Sequence, residues 1–399
     1  MTVLFPITLV AWYLPDLPGA RELGTLVGAL TVVAAALAVP RHDRVVTSRV
    51  PWPLVLFGVW ACASLVWSAD RAGSARALLD LVVLLAVGIA VGVRMTVPEV
   101  HRAVFSTVRW ILVVTAVSLV VAPGWAMVPA EDGAPGWHGP FSHKNDLGAF
   151  CAVAVVTVWF GPRRSRWVWM VLALVLLAGS QSSTAVAVVA LAAAVVGWQR
   201  LAASIREARH RGVFGAVSLV ATLGVLVAAV TRFDLFAVAL GRSGSLTGRT
   251  EIWTAVWRHV VERPIAGYGW GGVWREWSAP TQEIWREVRF PAFYAHNGYL
   301  DLALQVGVVG LALFLLALGP AIRTLWRDRA DGAALWGLLI ILTSLVAAVT
   351  ESAPFTGRGL LLLVPLVVAV ASGPGLLSAP TAEPSTTTPE RPALSRSSG

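Results

Sequence analysis

Charge is what this chain has least of. Its 399 residues include 31 Lys and Arg and 22 Asp and Glu, 13% in all, about half the ~25% usual in a soluble domain. Hydrophobic residues make up 57% and the mean hydropathy is +0.72. A soluble fold this apolar would lack the polar surface to cover itself. Disordered and collagen-like chains are excluded by the same composition. Cysteine is also scarce: Cys62 and Cys151 each sit in an apolar run, with no CxxC and no nearby His. That excludes a disulfide scaffold or thiolate metal centre and leaves two small buried residues. P-loop, G-x-S-x-G and H-E-x-x-H patterns are absent, as is a basic segment ahead of the apolar N-terminus, so no cleavable signal peptide is expected.

What is there is a series of apolar runs. Twelve spans are expected, at roughly 3–18, 22–39, 51–68, 77–95, 104–123, 146–161, 167–180, 183–199, 213–231, 297–319, 333–350 and 357–373, each near the ~20 residues that cross a bilayer. The fold class is therefore an all-α polytopic membrane protein. Pro6, Pro15 and Pro18 interrupt the first run, and the seventh and eighth are joined by the polar turn Ser180-Gln181-Ser182-Ser183. The net charge of +9 sits mostly between spans, where it sets orientation; no nucleic-acid partner is implied. Alternate connections carry Arg41, Arg44, Arg49, then Arg94, Arg102, then Arg163, Arg164, Arg166, then Arg200, Arg206, Arg209, Arg211, then Arg323, Arg327, Arg329, and finally Arg391 and Arg396. The other short connections hold only Arg21, Arg71, Arg76, Lys144 and Arg358. This asymmetry predicts a multi-pass protein of the cell membrane with both termini cytoplasmic.

The transmembrane unit is expected over 1–371, with a disordered cytoplasmic tail rich in Pro, Ser and Thr over 372–399. Two outward segments are not short: Ala126–Lys144, and a large loop at about 232–296. Loops of this kind concentrate function. Just before span 6 stands Gly136-Trp137-His138-Gly139-Pro140-Phe141-Ser142-His143-Lys144-Asn145, which combines turn residues with donors for an anion or hydroxyl. Within the large loop, Thr247-Gly248-Arg249-Thr250-Glu251-Ile252-Trp253 opens a helix. Thr250 suits the N-cap, and Ile252, Trp253, Val256, Trp257, Val260 and Val261 form one apolar stripe ending before Pro264. Arg249 at such a helix start suits a phosphate. Ala295-His296-Asn297-Gly298-Tyr299-Leu300-Asp301 then enters span 10, where His296 is able to take a proton near neutral pH. Asp301 is too far along the helix to share the His296 face fully. Each segment also has a plain structural reading: an interfacial loop, a lipid-facing helix, a capping cluster. The turn Glu351–Arg358 adds an outer-mouth arginine, and Arg109 is the one clear charge inside a span. No outward loop carries DxD or ExD; Asp328-Arg329-Ala330-Asp331 lies on the cytoplasmic side. Metal-assisted sugar transfer usually needs such paired acids, so outward arginines would have to neutralise an anionic leaving group.

The ordered set of outward motifs resembles the O-antigen ligase/polymerase family of bacterial membrane proteins. The matching pieces are Phe141-Ser142-His143-Lys144-Asn145-Asp146-Leu147-Gly148, Thr247–Trp253 with Pro264-Ile265-Ala266-Gly267-Tyr268-Gly269, and Ala295–Leu300. The resemblance implies a GT-C-like bundle whose large extracytoplasmic loop covers the site. It implies transfer of a glycan from an undecaprenyl-diphosphate carrier to an acceptor hydroxyl on a lipid or glycan, without metal or other cofactor. On this reading His296 and Arg249 are catalytic: the arginine stabilises the diphosphate and the histidine orients or deprotonates the attacking hydroxyl. Lys144, His143, Asn145, Trp253, Asn297, Tyr299 and Arg358 are the substrate-binding candidates. Both His296 and Arg249 are expected to border solvent. Many members carry an arginine in a Ser-Arg-Thr-like turn after span 7; here the stretch Ser180-Gln181-Ser182-Ser183-Thr184 has none. Lys144 or Arg358 is left to supply that charge, unless the substrate differs.

Two other readings compete. One is polymerisation of lipid-linked repeat units; the other, from a different class, is a multi-pass transporter. A transporter should gather ionisable groups near the midplane and show repeated halves, whereas this chain gathers them on one outer face. The topology is open to direct test. An impermeant thiol reagent applied to intact cells should label a cysteine placed at Ser243 and not one placed at Ser397. Labelling at Ser397 would overturn the orientation.

Overall fold

The computed structural model describes residues 4–13, 20–37, 50–128, 136–205, 207, 210 and 248–372. The ninth expected span, the first part of the large loop and the tail beyond 372 lie outside them. The described chain is helical nearly throughout. α1 (Leu4–Tyr13), α2 (Ala20–Leu37), α3 (Trp52–Ala63), α4 (Arg71–Arg94) and α5 (Val97–Val121) come first. A hairpin of β1 (Met127–Val128) and β2 (Gly136–Trp137) follows, then α6 (Lys144–Trp159), α7 (Arg163–Ser180) and α8 (Ser183–Ser204). In the large loop lie α9 (Arg249–Glu262) and α10 (Ala279–Val288), and the chain ends with α11 (Gly298–Arg327), α12 (Gly332–Ala347) and α13 (Gly357–Ser372). Of these, α4, α5, α8 and α11 are long and apolar enough to cross a membrane, and several shorter apolar helices stand beside them. α10 and the small hairpin were not foreseen from the sequence.

Polar residues mark where these helices start. Asp70 accepts from Gly73 N at 3.1 Å ahead of α4. Glu99 accepts from both the amide and the hydroxyl of Thr96 at the head of α5. Asp331 accepts from Ala333 N and Ala334 N to start α12. Each cap satisfies amides that have no partner inside the helix, which matters more where water is scarce.

α13 is the centre of the bundle, with Leu360 to Val370 buried throughout. It packs most closely on α4, where Gly88-Ile89-Ala90-Val91-Gly92 sets two glycines one turn apart. A Cβ on Gly88 would lie 2.5 Å from Val364 Cγ1, and one on Gly92 2.5 Å from Val368 Cβ. Small residues here let the two backbones approach, the usual way apolar helices gain contact when lipid is as apolar as they are.

The second organising feature is a break in α11. Gly307 adopts φ 67°, ψ −176°, which interrupts the helix after two turns. The carbonyls and amides freed by the break are taken up by the loop segment Pro264–Gly269. Tyr268 N donates to Leu304 O, Gly269 N to Gln305 O, and Val308 N to Pro264 O, all within 2.9 Å. Trp60 Nε1 adds a bond to Val306 O at 2.8 Å. Interrupted backbone is tolerated within a membrane bundle only when it is satisfied in this way. The segment 264–269 is thereby stitched to α11 at its break, α9 packs on the N-terminal end of α11, and α10 packs on α9. The stripe expected on α9 is split: Ile252, Val256 and Val260 are buried, while Trp257 and Val261 are each 57% exposed.

A Cβ at Gly307 would collide with Ile265 O, at a φ that L-residues rarely adopt. Gly307→Ala should therefore cost well above the ~1–3 kcal/mol of such backbone strain alone. It should lower the melting temperature of the purified protein by many degrees. An unchanged melt would mean that the loop is not anchored at this break.

Candidate functional site

The motifs, far apart in sequence, meet at the N-terminal end of α11. Asn297 caps this helix, its Oδ1 accepting from Tyr299 N at 3.0 Å and Leu300 N at 3.1 Å. The chain just before it is held from both sides. Trp253 Nε1, on α9, donates to Ala295 O at 3.0 Å, and Ala295 N donates to Asp301 Oδ2 at 3.3 Å. Asp301 is itself buried and accepts from Trp274 Nε1 at 2.5 Å. Between these ties, His296 sits in the left-handed region at φ 50°. A non-glycine residue takes that conformation only where its surroundings over-determine it, and such residues cluster at functional sites. Its ring lies 4.4 Å from that of Tyr294. Asp301 thus fixes the backbone beside the histidine and does not pair with its ring.

Arg249 is the first residue of α9, after Gly248 in the left-handed N-cap position. Its guanidinium turns into the protein. Nη1 donates to Thr350 O at 2.7 Å and Nη2 to Glu351 Oε1 at 2.9 Å. Arg249 is only 4% exposed and Glu351 8%, which corrects the expectation that Arg249 borders solvent. The physical reason lies in the turn between α12 and α13: it presents a buried carboxylate, and two buried charges are tolerable only when paired. The other carboxylate oxygen of Glu351, Oε2, lies 3.8 Å from His296 Nδ1, within ion-pair reach but longer than a hydrogen bond. That Nδ1 is buried and makes no hydrogen bond. Burial pushes the Glu351 carboxyl upward, but His296 and Arg249 pull harder and hold it below the usual carboxylate range. It is therefore ionised at neutral pH. Its contribution to stability is present above the ordinary glutamate value and is lost only as pH falls through the lowered one.

The start of α6 completes the neighbourhood. His143 caps α6 by accepting Asn145 N on Nδ1 at 3.1 Å. Burial lowers its pKa, with the charges of Asp146, Glu351, His296 and Lys144 also acting on it, so it stays a neutral acceptor. Asn145, Asp146, Ser182, Thr184 and Glu351 stand at the polar end of a narrow cleft of about 70 Å³, whose walls are apolar residues of α6, α8, α12 and α13. Asn145 Oδ1 is buried without a hydrogen-bond partner. The Thr184 and Thr350 hydroxyls lie 3.0 Å apart, which places the arginine-free turn Ser180–Thr184 against the turn that holds Arg249.

The other candidates have structural duties. The Tyr299 hydroxyl donates to Leu345 O at 2.8 Å and its ring meets Phe355 edge-on. Asn297 Oδ1 is committed to the cap, and Trp253 positions the His296 loop. The side chain of Arg358 lies outside the described residues. Glu351 is the residue that sequence reading missed. It lies in the turn Glu351–Arg358, and its signal is a carboxylate at the mouth of a span, where an unpaired charge is costly. Among the described residues, no group of three or more His, Cys, Asp or Glu is placed to hold a metal ion.

A family model described as O-antigen ligase matches residues 168–315, which include Arg249 and His296. The exopolysaccharide production protein ExoQ of Rhizobium meliloti (strain 1021) is 26% identical over 299 residues, 68% of this chain. Over residues 168–315 the chain is thus similar to the O-antigen ligase family. The match spans 66% of the ExoQ protein's own length, slightly under two thirds. The family match also ends before Glu351, so the carboxylate that joins the arginine to the histidine lies outside the matched segment.

Breaking the buried pair from one side should be severe. Glu351→Gln leaves Arg249 charged and uncompensated, an effect of roughly 3–5 kcal/mol in comparable buried pairs. Glu351→Gln and Arg249→Ala should each lower the melting temperature clearly. The double variant should lose less than the two single losses added together. Additive losses would show that the pair is not coupled.

Proposed function

We propose that this chain transfers a glycan from an undecaprenyl-diphosphate carrier to an acceptor hydroxyl at the outer face of the cell membrane, without a metal ion. One observation carries the reading: Arg249 and His296 converge on the two oxygens of a single buried carboxylate, Glu351. The family match and the likeness to an exopolysaccharide production protein support a role in surface-polysaccharide biosynthesis.

The chemistry follows from what each group is able to do. As the bond from the sugar to the diphosphate breaks, negative charge grows on the leaving phosphate oxygen. The Arg249 guanidinium, a fixed cation with five N–H donors, stabilises that charge by charge-assisted hydrogen bonds. Lys144, at the start of α6, adds a second cation. His296 takes the proton from the attacking hydroxyl on Nε2, while Nδ1–H faces Glu351. The carboxylate stabilises the imidazolium that forms, as in other carboxylate–histidine pairs. The 3.8 Å separation shortens when the donor is bound, since catalytic hydrogen bonds are often long in empty sites. Ionised Glu351 therefore has two tasks, holding the anion clamp and orienting the base. The apolar cleft beside Asn145 and Glu351 suits the hydrocarbon part of a lipid-linked substrate.

Turnover per folded molecule tests the assignment. His296→Ala should lose about 10²–10⁴ in rate and keep a near-native melt, since its ring makes no hydrogen bond on Nδ1. Arg249→Lys should lose roughly 10²–10³, because one ammonium cannot reproduce the guanidinium fork. Chelation with EDTA should leave the wild-type rate unchanged. Near-wild-type transfer by His296→Ala would show that the histidine merely shapes the entry to α11. To separate a ligase from a polymerase, the gene is deleted and carrier-linked glycans are weighed by mass spectrometry. Full-length chains left on the carrier indicate a ligase; single repeat units indicate a polymerase.

A further inference from the structure

The end of the bundle opposite the Arg249–His296 cluster carries a second built feature. α6 runs away from that cluster for 16 residues, about 24 Å at the usual rise, and ends at Trp159. α8 and α11 run in the same direction and end near Arg200 and Arg327. Between α6, α7 and α8 lies an apolar groove of about 340 Å³, walled by residues such as Val155, Met170, Leu174, Val189 and Val196. It adjoins a wider opening of about 610 Å³ lined by Gln199, Arg200, Arg327 and Arg329. Trp159, Phe160, Val196 and Arg200 line both spaces, so groove and opening are continuous.

The arginines at this opening are held, not splayed. Arg200 lies over the Trp159 ring at 5.2 Å, and Arg329 over the Trp326 ring at 4.6 Å. Arg329 Nη1 also donates to Trp326 O at 2.6 Å. Trp326 stacks on Trp198 with centroids 6.2 Å apart, which ties α11 to α8 at this height. Arg327 Nε is shared with Asp328 at 3.2 Å, leaving a net positive charge at the opening. Gln199 Nε2, also at the opening, is buried with no hydrogen-bond partner. Buried donors of this kind ordinarily find an acceptor.

We propose that this is a binding site for an anionic phospholipid, with its phosphate at Arg200, Arg327, Arg329 and Gln199 and one acyl chain along the α6–α7–α8 groove. Charge complementarity selects the anion, since three guanidinium groups face one acid. The continuous apolar groove selects a lipid over a free phosphate. Basic pockets between membrane helices are established receptors for anionic headgroups. The site is remote from the glycan-transfer residues and stands independently of their assignment. A bound lipid would tie the C-terminal ends of α6, α8 and α11 together on the side away from the reaction.

The test uses the full-length protein in nanodiscs of phosphatidylcholine and phosphatidylglycerol in equal parts, followed by native mass spectrometry. Phosphatidylglycerol should be retained in preference to phosphatidylcholine. Arg200→Gln should weaken retention about fivefold, and Arg200→Gln with Arg327→Gln and Arg329→Gln by about that factor for each arginine. Ala193→Trp, which fills the groove and leaves the arginines intact, should weaken a long-chain lipid more than a short-chain one. Inorganic phosphate should not displace the lipid at matched concentration. Undiminished retention in the triple variant, or equal retention of both lipids by the wild type, would overturn the proposal. Displacement by inorganic phosphate would also overturn it, showing an anion site and not a lipid site.

Discussion

A buried charge must have a partner, and here one such pair sets the arrangement at one end of the bundle. Arg249, on a loop helix, and Glu351, in the turn between two membrane helices, are more than a hundred residues apart and almost fully enclosed. Neither is tolerable alone at that depth. Their union fixes where α9 lies over the bundle, and through Trp253 it fixes the His296 loop. Stability and the proposed chemistry are thus drawn from the same contact. The carboxylate that neutralises the arginine is also the one that faces the histidine. The pair cannot be tuned for one purpose without affecting the other.

The pair depends in turn on how the loop is attached. A loop resting on the bundle by side chains alone would let α9 shift by a turn, and the arginine would then miss its carboxylate. The break at Gly307 prevents this. It exposes carbonyls and amides of α11 that must be satisfied, and the segment from Pro264 to Gly269 satisfies them. Backbone hydrogen bonds are strongly directional, so the register of the loop is set to within one residue. Asp301, just inside the same helix, holds both the amide of Ala295 and the indole of Trp274. The unwound segment and the strained His296 backbone are parts of one device that points a ring and a guanidinium at the same place.

The helical class was legible in the sequence, because apolar runs and low charge leave few alternatives, and so were the motifs that meet at the start of α11. The capping roles of Asn297 and Asp331 were open to the same reading, since caps are local. The start of α9 at Arg249 instead of Thr250 is a shift of one or two residues, with Gly248 taking the cap. Helix α10 escaped notice because its apolar positions, Ile284 and Val288, are too few to stand out among the tryptophans of the loop. The burial of Arg249 also escaped. A basic residue at the start of an amphipathic helix reads as solvent-facing unless the acid that receives it is known, and that acid lies far along the chain.

By itself the sequence determined that the chain is an apolar helical protein, and it marked the residues with chemical potential at the ends of particular helices. Those are properties of composition and of spacing over a few turns, which local physics fixes. Only the tertiary structure decided which of these residues meet. It chose Glu351 over its neighbours as the partner of Arg249 and His296, assigned Tyr299 and Asn297 to packing and capping, and placed the α11 break under the loop. Such choices depend on close approach between segments distant in sequence, where burial makes an unpaired charge or an unsatisfied amide costly. No pattern along a single chain carries that information.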